Sequence, residues 1–118
     1  MLQSRWLKYV MGTMSFSILM SHFVLAEELP TVYLTLENHV FVPSEVSIPA
    51  NKKVKLVIIN KDNEPEEFDS FDLNRERVVF ANKSATIYIG PLPPGKYEFF
   101  GEFHPESARG NVIVKEGD

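Results

Sequence analysis

The sequence predicts an all-β domain, a Greek-key β-sandwich of seven to eight short strands. Three observations carry this prediction. Apolar residues recur with period two from Val32 onward, and no stretch sustains a helical stripe. The apolar runs are short. Turn-forming residues separate them at Val42-Pro-Ser, Pro49-Ala-Asn-Lys, Lys61-Asp-Asn, Ala81-Asn-Lys and Pro91-Leu-Pro-Pro-Gly95. About eight short strands at this spacing suit two packed sheets.

In chain order, Val32, Leu34 and Leu36 alternate with Tyr33, Thr35 and Glu37 to give a first strand, and Val46 and Ile48 anchor a second. Val54-Lys-Leu-Val-Ile-Ile59 reads as a buried central strand. Phe68 to Leu73, Val78 to Phe80, Ala85 to Ile89, Tyr97 to Phe103 and Val112 to Val114 complete the set. The expected core holds Val32 or Tyr33, Leu34, Phe41, Val46, Ile48, Leu56, Ile58, Phe68, Ile87, Tyr97, Phe99, Val112 and Val114, and a hydroxyl partner is expected for Tyr97.

Residues 1–26 read as a signal peptide. Arg5 and Lys8 make a positive start, Tyr9 to Met20 is largely apolar, and Val24-Leu25-Ala26 offers the small residues of a cleavage site. The apolar run is shorter than the ~20 residues a spanning helix needs, so no membrane span is expected after cleavage. The expected mature domain is Glu27–Asp118. It has no Cys and no Met, because all four Met precede residue 27, and it keeps two histidines, His39 and His104. Ten bases stand against sixteen acids there, a formal charge of −6. An exported domain without cysteine cannot rely on disulfides and must build one hydrophobic core. The acidic balance argues against nucleic acid or an anionic membrane surface as partner. No nucleophile, phosphate-binding loop or triad arrangement is visible, so an independent enzyme is not expected.

The stretch Gly95-Lys-Tyr-Glu-Phe-Phe-Gly-Glu-Phe-His-Pro-Glu-Ser-Ala-Arg-Gly-Asn-Val-Ile-Val114 resembles the last two strands of a cupredoxin, the small copper-protein sandwich. The family pattern there is Gly-x-Tyr-x-Phe, then Cys, His and Met, then Gly-x-Ile-x-Val. Here Gly101 stands in the Cys place, His104 is kept, and Ala108 stands in the Met place. The earlier string Asn60-Lys-Asp-Asn-Glu-Pro-Glu-Glu-Phe68 resembles the segment that carries the family's first ligand His, and Glu66 occupies that position. Asn51 and Asn82 fall where relatives carry Gly, and Asn is the residue that next most readily enters the left-handed region.

A blue-copper site needs a thiolate in a His₂Cys arrangement, so none is expected. Strand alternation places the loops after the first and third strands at one pole of the sandwich, and the resemblance to cupredoxins implies that the 101–109 loop lies there too. They carry His39; Glu64, Glu66 and Glu67; and Glu102, His104 and Glu106. Carboxylate with imidazole suits iron, Mn(II), Zn(II) or Cu(II) rather than Cu(I). The predicted metal site is Glu66 or Glu67 with His104, joined by Glu102 and His39. Glu66 ranks above Glu67 because it lies on the core side if Phe68 points inward.

The strings Pro65-Glu-Glu-Phe-Asp-Ser70, Leu73-Asn-Arg-Glu-Arg-Val78 and Phe99-Phe-Gly-Glu-Phe-His-Pro105 resemble a subgroup of small exported cupredoxin-like proteins associated with bacterial high-affinity iron permeases. That resemblance implies a periplasmic metal-binding or metal-delivery component of iron uptake. The bound metal would be iron or copper(II), and the partner an iron permease or another periplasmic iron-uptake protein. It leaves open help with Fe(II) oxidation, transfer of iron to the permease, a metal-free docking module, and a Cu(II) carrier. Glu76 lies in a matching string and is a further ligand candidate.

Overall fold

The computed structural model describes residues 28–116 together with Ser15, Ser17 and Ile18. The signal-peptide expectation therefore falls almost wholly outside the described residues. Nine strands form, and no helix occurs among the described residues: β1 (Thr31–Glu37), β2 (Val40–Val42), β3 (Glu45–Pro49), β4 (Val54–Asn60), β5 (Glu66–Ser70), β6 (Arg75–Val79), β7 (Ser84–Ile89), β8 (Gly95–Gly101) and β9 (Arg109–Lys115).

They pack as two sheets, one ordered β2-β1-β4-β7 and the other β3-β9-β8-β5-β6. The all-β sandwich follows from the period-two pattern. The extra strand is β2, three residues too short to show alternation by itself, which pairs back on β1 through Leu36 and Phe41. The connectivity also differs from a simple meander. β1 lies parallel to β4, and β3 parallel to β9 in the other sheet. Ends of β1 and β4 still reach the same pole, because parallel neighbours finish together. Lys61 N–H donates to the Leu36 carbonyl there, at 2.8 Å.

Two strand limits move. The fourth expected strand starts at Glu66 and stops at Ser70, and the fifth starts at Arg75. The turn between them is held by Ser70 Oγ, which accepts the Leu73 N–H at 3.0 Å, and by Asn74 in the left-handed region at φ 55°. Phe71, expected within the strand, is a turn residue and 86% exposed.

The core is the interleaved inner faces of both sheets. Leu34, Leu36, Val54, Leu56, Ile58, Ile87 and Ile89 come from one, and Val46, Ile48, Phe68, Val79, Phe99, Val112 and Val114 from the other, with Phe41 from β2. Val32 and Tyr97 pack only partly against it, and Tyr33 faces solvent. Tyr97 finds the expected partner, donating its hydroxyl to the Pro93 carbonyl at 2.8 Å. Asn51 and Asn82 take φ of 60° and 57°, the left-handed values expected of them.

Phe41, Phe68 and Phe99 form a contiguous aromatic cluster, with ring centroids 5.2 to 6.1 Å apart. Each lies two residues from a residue at one pole of the sandwich: His39, Glu66 and Gly101. Two residues along a strand return to the same face, so the cluster forms the floor beneath the pole. Burying a Phe fully contributes about 1.5–3 kcal/mol, so this floor is a substantial part of what stabilises the sandwich beneath the pole.

Candidate metal centre

The pole is built from three loops, each fixed by its own hydrogen bonds. Asn38 and His39 form the two-residue turn between β1 and β2, with φ of 55° and 60°. Positive φ at both central positions is the geometry of a type I′ hairpin turn. Their N–H groups donate to the two oxygens of the Asp62 carboxylate, at 2.7 and 2.9 Å, which holds His39 in this conformation. Buried Asn60 shapes the next loop. Its amide donates to the carbonyls of Glu64 and Val79 at 2.8 and 3.0 Å, and its oxygen accepts the Asp62 N–H at 2.9 Å. The third loop closes through Gly101 N–H to Ala108 O at 2.8 Å and Ala108 N–H to His104 O at 2.9 Å.

Glu66 stands at the centre and is 2% exposed. Its Oε1 accepts the N–H of Phe103 at 2.8 Å and of Glu67 at 3.0 Å, while Oε2 lies 2.7 Å from His104 Nδ1. A carboxylate already accepting two N–H groups acts as acceptor again, so the His104 proton sits on Nδ1 and the Nε2 lone pair faces outward. The His39 ring stacks on the His104 ring, centroids 3.5 Å apart and planes 13° from parallel. Glu64 Oε2 lies 3.8 Å from His104 Nε2 and 4.0 Å from His39 Nε2, and Asp62 Oδ2 lies 3.5 Å from His39 Nδ1. Three carboxylates thus face two imidazoles. Among the described residues no Lys or Arg nitrogen lies within 4.0 Å of them. The field favours a cation.

Each of His39, Glu66 and His104 offers a ligand atom, all within 4.8 Å of one another. Glu67 and Glu102, also predicted for this site, are not part of the group. β5 alternates, so Glu66 and Phe68 face inward while Glu67 and Asp69 face outward. Glu102 approaches Asp69 on that outer face. Glu64 and Asp62 were not in the predicted ligand set. Their role depends on how the 61–65 loop folds around Asn60, which residue spacing does not encode.

The outer face carries its own electrostatic signature. Asp69 is 6% exposed. Its carboxyl is pushed up from 3.8 to about 7, first by burial, then by a hydrogen bond with the Glu102 side chain and the negative charges of Glu67, Glu102 and Glu76.

Residues 8–114 match the family described as "Cupredoxin-like domain". The chain belongs to that family. Across 85 residues it is 46% identical to the uncharacterized protein RP394 of Rickettsia prowazekii, covering 72% of this chain and 68% of that one. Solved cupredoxin structures share its fold. Amicyanin from Paracoccus versutus superposes with a TM-score of 0.58 at 21% identity, covering 75% of this chain and 85% of amicyanin. Auracyanin A, a blue copper protein of Chloroflexus aurantiacus, gives 0.63 at 11%, over 75% of this chain and 100% of auracyanin. The metal-binding domain of the Streptococcus pneumoniae D39 Cu(I)-exporting ATPase CopA gives 0.65 at 14%, over 78% of this chain and 91% of that domain.

A blue copper centre does not fit this cupredoxin. A Cβ built on Gly101 would lie 2.7 Å from Glu66 Cδ and 2.8 Å from Ala108 Cβ, inside van der Waals contact. The Glu66 carboxylate occupies the room a thiolate side chain at 101 would need. The substitutions at 66 and 101 are therefore sterically coupled. What does fit is an ion bound by carboxylate and imidazole, which makes metal binding a property this site can support.

Proposed function

We propose that this cupredoxin is a periplasmic metal-binding or metal-delivery protein, an accessory component of iron uptake. The observation that carries the reading is the buried Glu66 carboxylate joined to His104 Nδ1 at 2.7 Å beneath the His39 ring. Glu66, His104 and His39 would hold the ion, and Glu64 would close the site from the rim. This donor set favours Fe(II), Fe(III), Mn(II), Zn(II) or Cu(II). A bound ion would supply Lewis acidity, and iron or copper would add a redox change. Binding at Nδ1 would move the ring N–H of His104 to Nε2, and because metal ions compete with protons for imidazole nitrogens, affinity falls with falling pH. One ion bonded in-plane to both rings requires His39 to tilt out of the stack.

Val40 and Phe103, next to His39 and His104, are 42% and 49% exposed. This apolar rim supports a docking role at the same pole, with an iron permease or another periplasmic uptake protein as partner. Export to the periplasm is supported by the Arg5–Ala26 pattern.

Calorimetric titration with Fe(II), Mn(II), Zn(II) and Cu(II) tests the reading. It expects at least one ion to bind stoichiometrically and far more weakly to Glu66→Gln and His104→Ala. Tight binding of Cu(II) alone makes the protein a Cu(II) carrier. No binding tighter than about 100 μM to any ion leaves a metal-free docking module.

A further inference from the structure

We propose that the outer face of the β5–β6 hairpin is a second cation site, an all-oxygen one formed by Glu67, Asp69 and Glu76, that takes a hard divalent ion of the Ca²⁺ type. Asp69 and Glu76 are cross-strand partners, and Glu67 lies two residues from Asp69 on the same face of β5. One carboxylate oxygen from each lies within 4.8 Å of the other two. At that limit the point equidistant from three oxygens lies about 2.8 Å from each, just outside the Ca–O range of about 2.3–2.6 Å, so a small side-chain adjustment brings all three onto a single ion.

A group of acidic side chains is common on protein surfaces. Two observations separate this one from a solvated acidic face. Asp69 is 6% exposed, and its Oδ1 is buried without any hydrogen-bond partner. An unmet buried carboxylate oxygen costs free energy that an ion would recover. Asp69 and Glu76 also line a cleft of about 280 Å³ with Ser70, Phe71, Asn74 and Arg75, which provides entry and room for coordinating water.

The charge is not balanced from the protein side. Among the described residues no Lys or Arg nitrogen comes within 4.0 Å of these carboxylates. Arg75, one of the two bases that flank Glu76 in sequence, spends its guanidinium on the carbonyls of Tyr88 and Asn74, at 3.0 and 2.9 Å. No imidazole or sulfur is among the three donors, so the site selects for oxygen-seeking ions and against the softer metals suited to His39 and His104. Because Glu66 and Glu67 point to opposite faces of β5, the two sites can fill independently.

The test is titration of the full chain with CaCl₂, followed by amide NMR. Saturable one-to-one shifts are expected at Glu67, Asp69 and Glu76, with a Kd of about 0.1–1 mM, the range of exposed extracellular calcium sites. Asp69→Asn should weaken binding about tenfold or more, and Glu76→Gln, on an exposed edge strand, severalfold. Glu106→Gln, which alters only an exposed loop charge, should leave the titration unchanged. If Asp69→Asn fails to fold, Glu76→Gln decides. The proposal is overturned by an absence of saturable shifts up to about 10 mM Ca²⁺, by shifts centred on His39 and His104, or by a Glu76→Gln titration that matches the unsubstituted protein.

Discussion

Glu66 and Asp69 are both buried carboxylates on one five-residue strand, and they face opposite sides of the sheet. Glu66 is met by two backbone N–H groups and the His104 imidazole. Asp69 is met by other acids, and one of its oxygens by nothing. Burial alone does not decide how a carboxylate behaves. Where donors converge, the carboxylate is satisfied and fixed in direction. Where acids converge, the fold is relieved by a proton or a cation.

Breaking the Glu66 side should cost most. Glu66→Ala leaves the Phe103 and Glu67 N–H groups and His104 without their acceptor, and a loss of about 3–5 kcal/mol is expected in denaturant unfolding. A loss below about 1 kcal/mol would show that the carboxylate is not the organising contact of the pole.

The Asp69 side should respond with the opposite sign. A carboxyl whose folded-state pKa lies above its unfolded value stabilises the fold while protonated. Its contribution is complete below 3.8 and disappears as pH rises through about 7. Asp69→Asn should therefore raise stability at pH 8 by about 1–4 kcal/mol, raise it little at pH 4, and flatten the curve between. A substitution that destabilises equally at both values contradicts the account of that face. The stabilisation and the loss of Ca²⁺ binding are separate readouts of the same change.

Gly101→Ala sharpens the steric half of the comparison. The added methyl meets Glu66 Cδ and Ala108 Cβ, and overpacking of this kind costs about 1–3 kcal/mol. In a Glu66→Ala background the same change should cost less, because the obstructing carboxylate is gone. Strict additivity would show that positions 66 and 101 are not coupled. His39→Ala should do least to the fold, under about 1 kcal/mol, since its ring is a lid on His104. It should still weaken metal binding about tenfold.

The inner centre was largely legible in the sequence. Glu66 in the ligand His place, Gly101 in the Cys place and His104 retained all follow from local strings, and alternation around Phe68 correctly turned Glu66 inward. The same alternation turns Glu67 outward, away from His104, in line with its rank below Glu66. Asp69 gave no signal, because its burial arises from packing against β6 and β8. Asp62 and Glu64 reach the imidazoles through the folding of an irregular loop, which no periodicity reports. The parallel pairing of β1 with β4 is likewise a long-range choice, invisible in strand patterns that look the same in either direction.

The central claim is that a carboxylate and two imidazoles replace the blue-copper ligands at this pole. X-ray absorption of the Zn(II)-loaded protein tests it most directly. The account predicts a first shell of nitrogen and oxygen at about 2.0–2.1 Å with two imidazoles, falling to one in His39→Ala and losing the bound ion in Glu66→Gln. A shell without imidazole, or a spectrum unchanged by His104→Ala, would contradict it.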